Sequence, residues 1–339
     1  MSVRQPTLAD VRAARQTIMS TAIHTPLVLS ELSPDRDTPL WLKLECLQPT
    51  GSFKIRGATN AIAKLSADQR RRGVICCSTG NHGRAVAHAS RAAGIGATIC
   101  LSQLVPQTKV EAIEKLGATV LRVGNTSDEA QLEVDRLVSE EGMVELPPFD
   151  HADVIAGQGT IALELLEEKP GLETLLVPMS GGGLISGVAI AAKALKPEIR
   201  IVGLSMDRGA AMAESIGAGR IVDVDEVASL ADALGGGIPK DNRYTFAACR
   251  EFVDEVVLVN ENEIYAGMHA LFHRERLVVE GAAAVSHAAI LADKLDVEGP
   301  TAIVITGRNV DTRRLADIAT GMPVQLGDLR VEALYPSGP

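Results

Sequence analysis

Residues 174–187 read Thr174-Leu175-Leu176-Val177-Pro178-Met179-Ser180-Gly181-Gly182-Gly183-Leu184-Ile185-Ser186-Gly187. A short apolar run enters a glycine turn, and a helical run leaves it. The arrangement recurs upstream. Val74-Ile75-Cys76-Cys77 precedes a helical stretch from about His82 to Ala93, and Ala97–Leu101 precedes one from Gln107 to Leu116. Thr119–Val123 precedes another from Ser127 to Glu140. Arg200–Leu204 and Ala302–Ile305 add further apolar runs. Apolar runs flanked by helices are parallel strands covered on both faces, so the fold class is α/β. Near the N-terminus, Thr7 followed by Asp10 predicts a helix cap. Pro147-Pro148 is the best internal break. It predicts a smaller unit, residues 73–149, inserted into a larger one formed by residues 4–72 and 150–325.

Composition narrows the function. The chain has 339 residues, 46% hydrophobic and 22% charged, which suits a large buried core. Its 33 basic and 43 acidic side chains give a formal net charge of −10, which argues against a nucleic-acid partner. No charge-free run of ~18 apolar residues is present, so no spanning helix is expected, and no signal-peptide core is evident at the N-terminus. Five cysteines without Cys-x-x-Cys spacing indicate neither a disulfide framework nor a zinc site, which points to the cytoplasm.

Four glycine-framed clusters carry the chemistry. In Thr50-Gly51-Ser52-Phe53-Lys54-Ile55-Arg56-Gly57, Thr50 or Ser52 is expected to cap a helix with Lys54 in its first turn. A lysine there, beside Arg56 and apolar Phe53, sits where its ammonium form is disfavoured, the setting of a nucleophilic amine. Ser78-Thr79-Gly80-Asn81-His82-Gly83 follows a strand and opens a helix, leaving backbone N–H groups free for an anion. Ser180–Gly187 repeats that geometry with three successive glycines able to wrap a phosphate. It is not a P-loop, and a loose dinucleotide site with Asp207 as ribose partner is the rival. Thr306-Gly307-Arg308-Asn309 ends another strand and offers a neutral hydroxyl. A reactive lysine, a phosphate cradle and an anion loop together suit an aldehyde cofactor bearing a phosphate, pyridoxal 5′-phosphate.

From His24-Thr25-Pro26-Leu27 to Asn309-Val310-Asp311 the chain resembles the fold-type II pyridoxal-phosphate family, the group of threonine and serine dehydratases and serine racemase. The resemblance implies two open twisted parallel-sheet domains with flanking helices and the cofactor in the cleft between them. It implies that Lys54 is the Schiff-base lysine and the base for the α-proton. Phe53 would pack beside the ring, Asn81 would bond its 3-hydroxyl, and Thr306 would face its nitrogen. Gly181, Gly182, Gly183 and Leu184 would hold the phosphate. Ser78, Thr79, Gly80 and His82 would frame the substrate carboxylate. Val154–Thr160 and Glu280-Gly281-Ala282 match the family as framework near the cofactor, with Glu280 among the residues implied to bind it. The implied reaction is β-elimination from a 2-amino-3-hydroxy acid, with racemisation as the alternative. A homodimer is the family default.

Three departures from the family pattern sharpen the expectation. Where racemase-like relatives place two cation-binding carboxylates, Ser205 and Ala211 stand here, so no metal is expected. Thr79 replaces the serine that acts as second base in racemases, which favours elimination. Gly235-Gly236-Gly237 lacks the usual preceding acid, which predicts a wider pocket at Gly236 for a larger or more acidic substrate. Residues 205–212 and 235–246 most resemble dehydratases of hydroxyectoine utilisation, whose ring-opened substrate is an N-acylated 2,4-diamino-3-hydroxy acid.

Overall fold

The computed structural model describes residues 4–78, 80–105 and 107–332. Its strands, in chain order, are β1 (Leu27–Leu29), β2 (Leu40–Lys43), β3 (Val74–Cys77), β4 (Ala97–Leu101), β5 (Thr119–Arg122) and β6 (Val144–Glu145), followed by β7 (Thr174–Pro178), β8 (Arg200–Met206), β9 (Glu255–Val259), β10 (Thr301–Val304), β11 (Val324–Leu326) and β12 (Leu329–Val331). Ten of them form two sheets. The larger has the order β1-β2-β10-β7-β8-β9 and the smaller β5-β4-β3-β6, while β11 and β12 pair as a hairpin. All pairings within the two sheets are parallel except β1 with β2.

The alternation of buried side chains explains the unbroken apolar runs. On β7, Leu176 joins one apolar cluster with Val202 and Ile303, while Leu175 and Val177 join another with Ile201 and Ala302. Both faces of the sheet are covered, so both sets of positions must be apolar. The sequence reading anticipated β3, β4, β5, β7, β8 and β10 to within two residues. It does not include the short strands β1, β6, β11 and β12, nor β9, an edge strand on which only Val257 and Val259 are buried, nor β2, where the charge of Lys43 interrupts the pattern although Lys43 is fully buried. The helix expected over 107–116 stops at Glu114, before Gly117 at φ +95°. The Thr7–Asp10 capping box is present at the helix Leu8–Ile18. None of the described helices is long and apolar enough to cross a membrane.

Parallel connection puts the carboxyl ends of β7 and β10 side by side, and with them the turns at 180–184 and 306–309. The β3 end supplies the turn at 78–80 from the smaller sheet. Between the sheets runs the helix Lys54–Ala63. It follows β2 in the chain, yet Ile55, Ala58, Ala61 and Ile62 bury in one cluster with Val74, Val86 and Ile99 of the smaller sheet's layer. On its other side it crosses the helix Ala152–Glu168, with Gly57 against Gly157. A Cβ at Gly157 would stand 2.6 Å from the Arg56 carbonyl, so only glycine allows this approach.

Arg56 is the largest side chain buried in this seam. It bonds Glu45 through Nε (2.8 Å) and Nη2 (2.7 Å), and Glu164 through Nη1 (2.6 Å) and Nη2 (2.9 Å). Lys43 Nζ completes the group at 2.7 Å from Glu164. Burial opposes the guanidinium charge, but the two carboxylates outweigh it and hold the proton firmly on Arg56. Replacing both charges of such a pair can be neutral, whereas removing one strands the others in the interior. Arg56→Met is therefore expected to cost about 3–5 kcal/mol in denaturant unfolding. A loss below about 1 kcal/mol would show that Glu45 and Glu164 find other partners.

Candidate active site

Lys54 opens its helix from a loop tied down on both sides. Ser52 forms an isolated antiparallel bridge with Gly307, Phe53 N–H donates to the Thr306 carbonyl (3.1 Å), and Arg308 N–H donates to the Gly51 carbonyl (2.9 Å). Neither Thr50 nor Ser52 caps the helix. The residue at the cap position is Phe53, without a side-chain bond, and the buried hydroxyls of Thr50 and Ser52 have no partner among the described residues. Arg56 does not face Lys54 either. Residues two apart on a helix point to different sides, and Arg56 is held by Glu45 and Glu164 as described. What disfavours the ammonium is burial, which lowers the pKa of Lys54 from 10.5 to about 8 against an opposing pull from Glu280. Lys54 Nζ donates 2.7 Å to the Pro148 carbonyl and lies 5.4 Å from the centre of the Phe53 ring.

The helix Asn81–Ala93 forms a second wall. Ser78, Gly80, Asn81 and His82 all line the same cavity as Lys54. Thr79 lies outside the described residues. His82 Nε2 is 2.7 Å from the Leu146 carbonyl, which makes Nε2 the protonated nitrogen, and Nδ1 has no partner among the described residues. Burial and the neighbouring Lys54 charge lower its pKa to about 3, so this imidazole is neutral.

The third wall is the turn after β7. Gly181, Gly182, Gly183 and Leu184 line the cavity, with Gly182 at φ +88° capping the helix Gly183–Leu195. The first N–H groups of that helix have no intrahelical acceptor and point at the cavity end. Phe149 packs beneath the glycines, and a Cβ at Gly181 would stand 2.5 Å from its ring. The composition of the turn thus follows from a backbone squeezed between an aromatic ring and an open space. Thr306 lines the cavity opposite, and its buried hydroxyl has no partner among the described residues.

The family resemblance implies that Glu280 is a cofactor-binding residue of the surrounding framework. It is a hub: Asn81 Nδ2 donates to its Oε1 (2.6 Å) and Asn309 N–H to its Oε2 (3.0 Å), while Asn309 Nδ2 donates to Asn81 Oδ1 (2.5 Å). Burial, then the charge of Asp232, pushes the pKa of Glu280 up to about 7 despite these bonds. Gly236 is not on the cavity wall. Gly235 lines it, together with Asp232, Ala233 and Leu234 of a short 3-10 turn over Asp232–Leu234. An acidic side chain therefore stands at this edge, four residues ahead of Gly236, where its loss is expected from the sequence. Arg84 and Lys109 also line the cavity, which holds about 300 Å³. No spacing rule reported Asp232, Phe149 or Arg84, because each arrives from a different element.

The residues fit a phosphate-bearing aldehyde: a desolvated amine, a glycine cradle at a helix N-terminus and an unpartnered hydroxyl share one cavity. A site so composed is that of an enzyme working through a lysine-bound cofactor. The family model for pyridoxal-phosphate dependent enzymes matches residues 18–307, and the chain belongs to that family. Pyridoxal phosphate is accordingly its cofactor.

A Sinorhizobium fredii protein named provisionally as a threonine dehydratase is 51% identical over 317 residues, 93% of this chain and 96% of that one. The L-threo-3-hydroxyaspartate ammonia-lyase of Saccharomyces cerevisiae is 38% identical, covering 93% of this chain and 97% of its own. The structure of maize serine racemase superposes with a TM-score of 0.86 at 34% identity, covering 93% and 97%. The link to hydroxyectoine is not reproduced by these relatives.

Since burial disfavours the charged form, the neutral Lys54 amine predominates above about pH 8 rather than above 10.5. Uptake of pyridoxal phosphate by the cofactor-free protein, followed by visible absorbance, should accelerate with a one-proton midpoint near 8. Glu280→Gln removes the charge that favours the ammonium, so the midpoint should fall further. A midpoint near 10.5 in the unaltered protein would contradict a buried amine.

Proposed function

We propose that the chain eliminates water from a 2-amino-3-hydroxy acid, giving a 2-oxo acid and ammonia. The observation that carries this reading is the buried Lys54 amine, free of an ion pair among the described residues and sharing a cavity with the glycine cradle. The naming of the relatives as threonine dehydratase and hydroxyaspartate ammonia-lyase supports it.

Bound pyridoxal phosphate supplies the electron sink for breaking the α-C–H and β-C–O bonds. The chain's own residues do the rest. The glycines and Leu184 hold an anionic group with backbone N–H donors, and the 78–82 turn orients the substrate carboxylate. Lys54 takes the α-proton through its neutral amine. The hydroxyl leaves with a proton as water, and the enamine released takes up water to give the 2-oxo acid and ammonia. Neutral Thr306 and neutral His82 place no full charge on the ring or the carboxylate.

The stretches 205–212 and 235–246 favour an opened hydroxyectoine ring as the substrate, and this belongs in the substrate panel. Lys54→Ala should abolish the lysine-bound visible absorbance and the release of 2-oxo acid together. L-threonine, L-serine, L-threo-3-hydroxyaspartate and the opened ring compound are compared by 2-oxo acid formation, with chiral analysis of recovered substrate. Inversion without 2-oxo acid would replace elimination by racemisation. An unaltered visible spectrum in the variant would overturn the role of Lys54.

A further inference from the structure

Arg84 is a charged residue in the cavity for which the elimination chemistry has no use. It follows Asn81 by three positions on the helix Asn81–Ala93, so the two share a face, and both line the cavity. The only side-chain hydrogen bond it makes among the described residues is a long one, Nη1 to Asn309 Oδ1 at 3.4 Å, which leaves most of the guanidinium donors unused. Glu280 attracts it without satisfying it. The Glu280 oxygens are engaged by Asn81 and Asn309. Lys109 adds a second positive charge on the same side of the cavity, and the acidic Asp232 stands on the wall built from the larger sheet.

We propose that Arg84 is a specificity-determining residue that selects substrates carrying an oxygen acceptor, best a second carboxylate, beyond the hydroxyl-bearing carbon. This rests on the elimination reading. A guanidinium presents paired N–H donors matched to a carboxylate. Asn81 and the 78–82 turn precede Arg84 in the same helix, so a substrate whose α-carboxylate lies at the turn extends its other end toward a later helical position. A methyl group, as in threonine, leaves those donors unmet, whereas a carboxylate satisfies them and neutralises a half-buried charge. Burial already lowers the pKa of Arg84, as expected of a cation awaiting its partner.

The test compares L-threo-3-hydroxyaspartate with L-threonine. In Arg84→Gln the ratio of their kcat/KM values should shift against hydroxyaspartate by about tenfold or more, the size of a lost charge-assisted contact. Arg84→Lys, which keeps the charge without the fork, should restore part of the ratio. Calorimetry on the cofactor-loaded protein gives a readout independent of turnover: the variant should lose affinity for malonate about tenfold more than for propionate. An unchanged ratio together with equal losses for the two acids would overturn the proposal. So would a variant that alters only the pH dependence of the visible spectrum, since that would make Arg84 a counter-charge to Glu280. If the unaltered protein releases 2-oxo acid from none of the four compounds compared above, the elimination reading fails, while the malonate–propionate comparison still decides Arg84.

Discussion

Two cations two residues apart on one helix are treated in opposite ways, and the site depends on that contrast. Arg56 receives two carboxylates and is locked in the interior. Lys54 receives a single backbone carbonyl. A salt-bridged lysine would keep its proton and be unreactive as a base. The same lysine left exposed would titrate near its ordinary value. Burial without a counter-ion lowers the pKa of the amine to about 8, and it is costly unless something else fixes the helix. The Arg56 group supplies that fixing, because its four charged members, Lys43, Glu45, Arg56 and Glu164, come from three segments of the chain.

The rest of the cavity is an exercise in close approach. Gly57 against Gly157 brings two helices near enough to seat the Arg56 group between the sheets. Gly181 and Gly183 rest on Phe149. Both contacts spend glycine where a Cβ would force backbones apart, and both serve the same end, since they define how far the Lys54 helix stands from the phosphate cradle. The charged lining then divides by wall: Arg84 and Lys109 on the side of the smaller sheet, Asp232 on the other.

Much of this was legible in the chain. Parallel strands covered on both faces leave unbroken apolar runs, so β3, β4, β7, β8 and β10 announce themselves. The glycine turns after β3 and β7 mark where backbone must meet a ligand. Edge strands and charged strands do not follow that pattern, which hid β9 and Lys43 on β2. Long-range polar contacts were silent as well. Glu280, Asn81 and Asn309 lie far apart in sequence, and nothing local in any of them reports the others. The cap assigned to Thr50 or Ser52 failed for a related reason. Their loop takes its geometry from pairing with the 306–308 segment rather than from the helix it precedes.

Residues 146–150 tie these parts together. The Leu146 carbonyl receives His82, the Pro148 carbonyl receives Lys54, and the Phe149 ring floors the glycine turn. The Asp150 carboxylate accepts from the N–H groups of Arg243, Tyr244 and Thr245 at 2.6, 2.9 and 3.0 Å. Leu146, Pro148, Phe149 and Asp150 each serve a different part of the molecule, and two prolines stiffen the span. A single inserted or deleted residue would put every one of those partners out of phase at once. Surface loops elsewhere in the chain can drift in length over evolutionary time. This one behaves as a ruler, and its five residues are a natural place to judge whether a distant sequence preserves the same catalytic chamber.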